Sequence, residues 1–263
     1  MILSQIIEEK EREIAQRKAN LTLGDLKSAL DGEAIPRRDF KKAISQEGIN
    51  LIAEIKKKSP SKGVIRKDFK PLEIALDYAV AGAKALSVLT DEKFFGGDIK
   101  LIKEIKKEVG DLPVLQKDFI IDEYQVYEAA FSGADAVLLI ADILTVEQLK
   151  KFRGIAKGLG MDAVCEAHTQ EDLDKILEID AGIIGINNRN LHDFKVDLEN
   201  TPRLIRGIPE GKIIIAESGI KSYNDVMYLK SLGVNAVLIG EAFMAAPDIV
   251  AKVREIMGYK GSS

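Results

Sequence analysis

The chain has 263 residues, 38 Lys and Arg against 42 Asp and Glu, a net charge of −4, 46% hydrophobic residues and 7 prolines. A pI near 5.5 excludes the net basic face that binding to nucleic-acid phosphates requires, so any anion must be held by local groups. The single Cys165 can form no intramolecular disulfide and has no CxxC partner for zinc, and the apolar run 1–7 is cut short by Glu8, Glu9 and Lys10, far below the length of a signal or membrane-spanning segment.

The expected compartment is therefore the cytoplasm, with no membrane and no nucleic-acid partner. In the first fifty residues, Ile6, Ile7, Ile14 and Leu21 recur at helical spacing among Glu, Lys and Arg, and Thr22 with Asp25 forms a capping-box signature for a second helix. This segment reads in two ways, as a helical extension packed across one end of a larger fold or as a solvated arm. No Gly/Ser-rich or Pro-rich linker separates it from the rest of the chain.

From residue 51 onward a repeat dominates: a polar, helix-period stretch, a small turn, then a short aliphatic run. The turn and strand recur at 82–86, 133–138 and 233–238, with a looser copy at 160–164, each reading as a helix C-cap glycine feeding a buried strand. With 51–55, 113–116, 183–186 and 213–216 these make eight strands, separated by amphipathic segments such as 145–157 and 170–179. Aliphatic strands alternating with helices predict a parallel sheet covered by helices, and eight of them predict an α/β fold, the closed (β/α)₈ TIM barrel. The expected organisation is one barrel domain over 1–263, of which 1–50 is the helical extension. An open doubly wound sheet is the rival, but no G-x-G-x-x-G follows the first strand.

In such barrels the chemistry sits where the strands end. Strand one ends Glu54-Ile55-Lys56, with Glu54 and Lys56 on one face by alternation; strand three ends at Lys117, strand five at Glu166, strand six at Asn187-Asn188-Arg189, strand seven at Glu217-Ser218-Gly219 and strand eight at Gly240-Glu241. Any one of these could be a barrel ion pair, but two lysines and three glutamates on one rim point to groups that shift one another's pKa for acid and base work. Ser218, Gly219 and Gly240, with a short helix starting at Glu241, offer backbone N–H groups where many barrels hold phosphate, and Ser59 and Lys62 could add to them. Glu241 must then turn its carboxylate away from a bound dianion. His168 and His192 read as solvated loop histidines without metal-ligand spacing, and Cys165 as a core residue. Phe95 and Phe119 fit either rim core or an apolar substrate pocket.

With these residues in view, the chain resembles the indole-3-glycerol phosphate synthase family from end to end. The resemblance rests on Ile52-Ala53-Glu54-Ile55-Lys56 leading into Ser59-Pro60-Ser61-Lys62-Gly63, on Lys117-Asp118-Phe119, on Gly185 to Leu191, on Ala216-Glu217-Ser218-Gly219-Ile220 and on Leu238-Ile239-Gly240-Glu241. It departs at Glu166-Ala167-His168, where a β-branched residue is expected after the glutamate. The resemblance implies a ring closure of 1-(2-carboxyphenylamino)-1-deoxyribulose 5-phosphate with loss of carbon dioxide and water. It implies Lys117 as general acid at the ribulose C2 oxygen and shares the second acid and the base among Lys56, Glu54 and Glu166. Arg189, with Lys56, would hold the substrate carboxylate, Asn187 and Glu217 the ribulose hydroxyls, and Phe95, Phe119 and Leu191 the anthranilate ring. Ser59, Ser218, Gly219 and Gly240 would hold phosphate. No metal or organic cofactor is implied, and the chain is expected to act as a monomer or beside other tryptophan-pathway enzymes. Two rivals remain at this level: a Schiff-base aldolase using Lys117, and a catalytically silent barrel serving as a binding module.

Overall fold

The computed structural model describes residues 2–32 and 35–259. Eight parallel strands close into a barrel: β1 (Asn50–Ile55), β2 (Ala85–Leu89), β3 (Val114–Lys117), β4 (Ala136–Ile140), β5 (Asp162–Ala167), β6 (Ile183–Asn187), β7 (Ile213–Glu217) and β8 (Ala236–Ile239), with β8 pairing back onto β1. The expected strands are all present. Where the sequence places the strand start at a turn glycine, the strand begins about three residues later. Gly82, at φ 98, closes the preceding helix in the left-handed region that a Cβ would strain.

Alternation along each strand divides the core in two. Ile52, Ala85, Leu115, Val164, Ile183, Ile215 and Leu238 fill the barrel interior, while Leu51, Ala53, Leu86, Val137, Cys165, Ile184 and Val237 face the surrounding helices. Burial pushes the Cys165 thiol up to about 12, as a core position demands. Continuing the interior register by two residues, or by four from Ile183 through Gly185, brings Glu54, Lys117, Glu166, Asn187, Glu217 and Gly240 to the mouth of the barrel. The strand pattern itself thus aims the polar groups inward.

The helices carry the start signals read from sequence. Thr145 with Gln148 caps Val146–Gly158, and Thr169 with Asp172 caps Gln170–Glu178, each as a reciprocal capping box. In the extension, Asp25 accepts from the Thr22 N–H at 2.9 Å and hydroxyl at 2.6 Å. Neither reading of the extension is complete, because it touches both ends of the barrel. Its first helix, α1 (Ile2–Asn20), buries Leu3, Ile6, Lys10 and Ile14 and reaches the residues just past the ends of β2 and β3. The segment Phe40–Ile44 instead closes the opposite end, where Phe40 and Ile44 pack on the lowest interior layer. Between the two, Arg37 and Arg38 donate to carbonyls of Ala130, Ala134, Leu159, Leu112 and Lys106, satisfying helix C-termini around that end. No described helix is long and apolar enough to cross a membrane.

Candidate active site

The polar strand ends line a single cavity of about 600 Å³ at the C-terminal mouth of the barrel. Every residue expected there borders it: Glu54, Lys56, Ser59, Phe95, Lys117, Phe119, Glu166, Asn187, Arg189, Leu191, Glu217, Ser218, Gly219 and Gly240. The cavity also takes in Lys62, Leu138, Leu238 and Lys221. The leucines are the top of the interior layer, whose place is set by the same alternation.

At the floor, the Lys117 ammonium lies between two carboxylates, 2.9 Å from Glu166 and hydrogen-bonded to Glu217. Burial alone would lower its pKa, but Glu166, Glu217 and Glu54 outweigh that and raise it above the ordinary lysine range. The two glutamates separate. Burial and the neighbouring Glu166 charge push Glu217 up to about 8. Burial also acts on Glu166, but Lys117 and a 3.0 Å bond from the Asn187 amide bring it below its ordinary value. The two carboxyls thus move in opposite directions, Glu217 becoming the weaker acid. The second Glu217 oxygen, Oε1, is buried with no hydrogen-bond partner among the described residues. It packs on Gly185, where a Cβ would stand only 2.5 Å from it, so glycine is the residue that leaves room for this carboxyl. Beside the floor, Lys56 donates to Glu54, which is itself almost fully buried.

The two sides of the cavity differ. On one, the Phe95 and Phe119 rings stand 6.0 Å apart at 37°, with Leu191 packed on the same interior cluster; both rings border the cavity and both belong to or pack on the interior core, so the two sequence readings hold together. On the other, Ser218 (φ 67) and Gly219 (φ 82) turn the chain sharply after β7, Gly240 lies just past β8, and the buried Ser59 hydroxyl has no partner among the described residues. Glu241 borders the same cavity, and its carboxylate accepts from the Arg189 guanidinium at 3.1 Å. Arg189 also approaches the Phe194 carbonyl at 3.3 Å and the Ser61 hydroxyl at 3.5 Å.

Two features escaped the sequence. Asn188, fully buried, accepts from the Thr201 N–H at 3.1 Å and hydroxyl at 2.8 Å, and donates to the Ser218 carbonyl at 3.2 Å, holding the sharp turn after β7. Its place beside Asn187 and alternation past the strand end were the available signals. His168 is not a solvated loop histidine: its Nδ1 lies 2.8 Å from the Asn187 carbonyl, and Asn200 bonds to the same carbonyl at 3.0 Å. His192 is exposed as expected, 3.0 Å from Asp142. Ala167, the departure from the resemblance, faces the helix layer and is fully buried.

The model of the indole-3-glycerol phosphate synthase family matches residues 3–256. An indole-3-glycerol phosphate synthase of Clostridium acetobutylicum is 47% identical over 257 residues, covering 98% of this chain and 97% of the relative. One of Caldanaerobacter subterraneus subsp. tengcongensis is 49% identical over 259 residues, covering 97% and 99%. Among solved structures, the 3-hexulose-6-phosphate synthase of Salmonella typhimurium superposes with a TM-score of 0.65 over 80% of this chain and 97% of the other, at 17% identity, a likeness of barrel fold. By the matching of its whole length and by the relatives it resembles, this chain belongs to the indole-3-glycerol phosphate synthase family.

Proposed function

We propose that this rim performs the decarboxylating and dehydrating ring closure of 1-(2-carboxyphenylamino)-1-deoxyribulose 5-phosphate to indole-3-glycerol phosphate, a carboxy-lyase step of tryptophan biosynthesis. The observation that carries the reading is the Lys117 ammonium held between Glu166 and Glu217, on the floor of a cavity with aromatic rings on one side and a serine- and glycine-rich turn on the other. Attack of the carboxylate-bearing ring carbon on the ribulose C2 carbonyl places negative charge on that oxygen, and Lys117 donates the proton it needs. Loss of carbon dioxide restores the aromatic ring. Loss of the C2 hydroxyl as water then requires a second acid and a base, roles assigned to Lys56, Glu54 and Glu166.

Arg189, with Lys56, holds the substrate carboxylate in this reading, giving up its pairing with Glu241 to do so. Asn187 and Glu217 take the ribulose hydroxyls; a Glu217 that carries a proton can both donate and accept there. Phe95, Phe119 and Leu191 enclose the anthranilate ring, and Ser59, Ser218, Gly219 and Gly240 hold the phosphate. The carboxylates that keep Lys117 protonated oppose an amine nucleophile, which favours the acid role over a Schiff-base aldolase. The phosphorylated substrate and the absence of a membrane-crossing helix among the described residues support action in the cytoplasm. Supplying the carboxyphenylamino-deoxyribulose phosphate and following indole fluorescence tests the reading directly, against a low background because the chain has 0 Trp. No fluorescence gain, or a borohydride-trapped adduct on Lys117, would reject it.

A further inference from the structure

A second lysine held among carboxylates, this one fully buried, lies outside the cavity. Lys10, on α1, has no solvent exposure, and its ammonium is 2.7 Å from Glu13, 3.0 Å from Asp91 and 3.0 Å from Asp118. Burial alone would lower its pKa, but Asp118, Asp91 and Glu13 outweigh that and keep it charged. The ammonium donates a hydrogen bond to Glu13 and forms ion pairs with Asp91 and Asp118, so it holds the two aspartates together as an apolar side chain of equal volume could not.

Each aspartate leads to one of the paired rings. Asp91 caps the short helix Glu92–Phe95, accepting from the N–H groups of Phe94 at 2.8 Å and Phe95 at 3.1 Å. Asp118 accepts from the Phe119 N–H at 2.8 Å and from the Thr90 hydroxyl at 2.5 Å, and that hydroxyl accepts from the Gln116 amide at 3.1 Å. The same helix α1 also holds Glu92 through Arg17, at 3.4 Å, and Lys93 through Glu9, at 2.6 Å. Three successive residues on the Phe95 loop are therefore tied to one helix of the extension.

We propose that Lys10 is a positioning residue for the aromatic side of the active site: through Asp91 and Asp118, α1 sets the separation and tilt of Phe95 and Phe119, and so the affinity for the aromatic half of the substrate. The inference rests on the reading of Phe95 and Phe119 as the ring-binding pair. Of the phosphate residues in that reading, Ser218, Gly219 and Gly240 follow β7 and β8 and are not touched by Lys10, while only Ser59 neighbours the Phe95 loop, through Lys58, whose ammonium donates to the Lys93 carbonyl at 2.6 Å. A fault in the ring pair therefore separates from a general loss of structure.

The test measures KM and kcat for the carboxyphenylamino-deoxyribulose phosphate, and the inhibition constant of inorganic phosphate, in the wild type and in Lys10→Met. A displaced ring pair predicts KM raised about tenfold or more, kcat within about threefold, and phosphate inhibition within about twofold. A folded variant with unchanged KM, or one in which substrate and phosphate weaken together, overturns the proposal. Phe95→Leu and Phe119→Leu separate the two levels. If neither raises KM, the ring assignment fails; if they raise it and Lys10→Met does not, the positioning role fails. Lys10→Met combined with Phe119→Leu should weaken substrate less than the product of the single effects, since both act on one contact. Should Lys10→Met not fold, Asp91→Asn keeps a cap acceptor while removing the charge, and the same measurements on it decide: a KM raised about threefold or more with unchanged phosphate inhibition supports the proposal, and unchanged KM overturns it.

Discussion

Lys117 and Lys10 are both ammonium groups among buried carboxylates, Lys117 partly open to the cavity and Lys10 fully enclosed, and their surroundings are neighbours in the chain, since Asp118 comes directly after Lys117. Alternation sends Lys117 into the barrel mouth and Asp118 to the outer side, where α1 covers it. The outer cluster leaves little unmet: Asp91 and Asp118 each accept further N–H or O–H bonds beyond the lysine. The inner one does not, for among the described residues the buried Glu217 Oε1 has no hydrogen-bond partner, and burial with the Glu166 charge pushes the Glu217 pKa up to about 8. Both clusters lose solvation, so burial alone does not distinguish a site from a brace. The difference is whether the polar groups are used up by the protein or left for something that enters.

The contrast predicts that Lys117→Met lowers kcat about 10²- to 10⁴-fold with a much smaller change in KM, as expected for loss of a general acid. Steady-state indole fluorescence reads this, and a near-normal kcat would move the acid role to Lys56. Lys10→Met should show its main thermodynamic effect in stability instead. Stranding Asp91 and Asp118 costs roughly 3–5 kcal/mol, visible as a lowered urea midpoint. Lys117→Met should lower that midpoint far less, because the cavity glutamates can take up protons; equal losses would erase the distinction.

Gly185→Ala probes the inner cluster without altering charge. Its Cβ would stand 2.5 Å from Glu217, and displacing that carboxyl should cost on the order of 10²-fold in kcat/KM. Wild-type rates would mean that the carboxyl moves freely. A smaller effect concerns pH. Glu217 releases its proton near 4.5 when unfolded and near 8 when folded, so between those values the folded chain holds a proton that the unfolded chain has lost. Its contribution is fully present below about pH 4.5 and is lost as pH rises through about 8. Melting temperatures of the wild type should fall across that window relative to Glu217→Gln, which cannot titrate; parallel curves would refute the assignment. The smallest expected effect is none: EDTA should leave turnover unchanged, because the proposed steps are proton transfers by lysine and glutamate. Loss of activity on chelation, restored by a divalent ion, would break the mechanism.

Much of the site is legible in the sequence because a barrel converts chain order into position. Once Ile52, Leu115, Val164 and Ile215 are read as interior, the residue two places on must reach the mouth, and those residues are Glu54, Lys117, Glu166 and Glu217. Lys10 shows what such reading misses. It occupies an apolar-face position in register with Leu3, Ile6 and Ile14, an anomaly visible in the sequence, but the pattern names no partner for it. The extension was likewise legible as helix, while its contact with both ends of the barrel was not.

What the sequence determined by itself is periodic: strand and helix order, the inward face of each strand, the caps, and the polar residues at the strand ends, all set by interactions within a few residues. Tertiary structure alone decided the pairings: Lys117 with Glu166 and Glu217, Asn188 with Ser218, Arg189 with Glu241, and Lys10 with Asp91 and Asp118. It also decided that the Glu217 pKa is raised while that of Glu166 is lowered. The physical reason is that a pKa or an ion pair depends on distance and solvent exclusion among groups from different strands, and those distances exist only when the barrel has closed and the extension has folded over its rim.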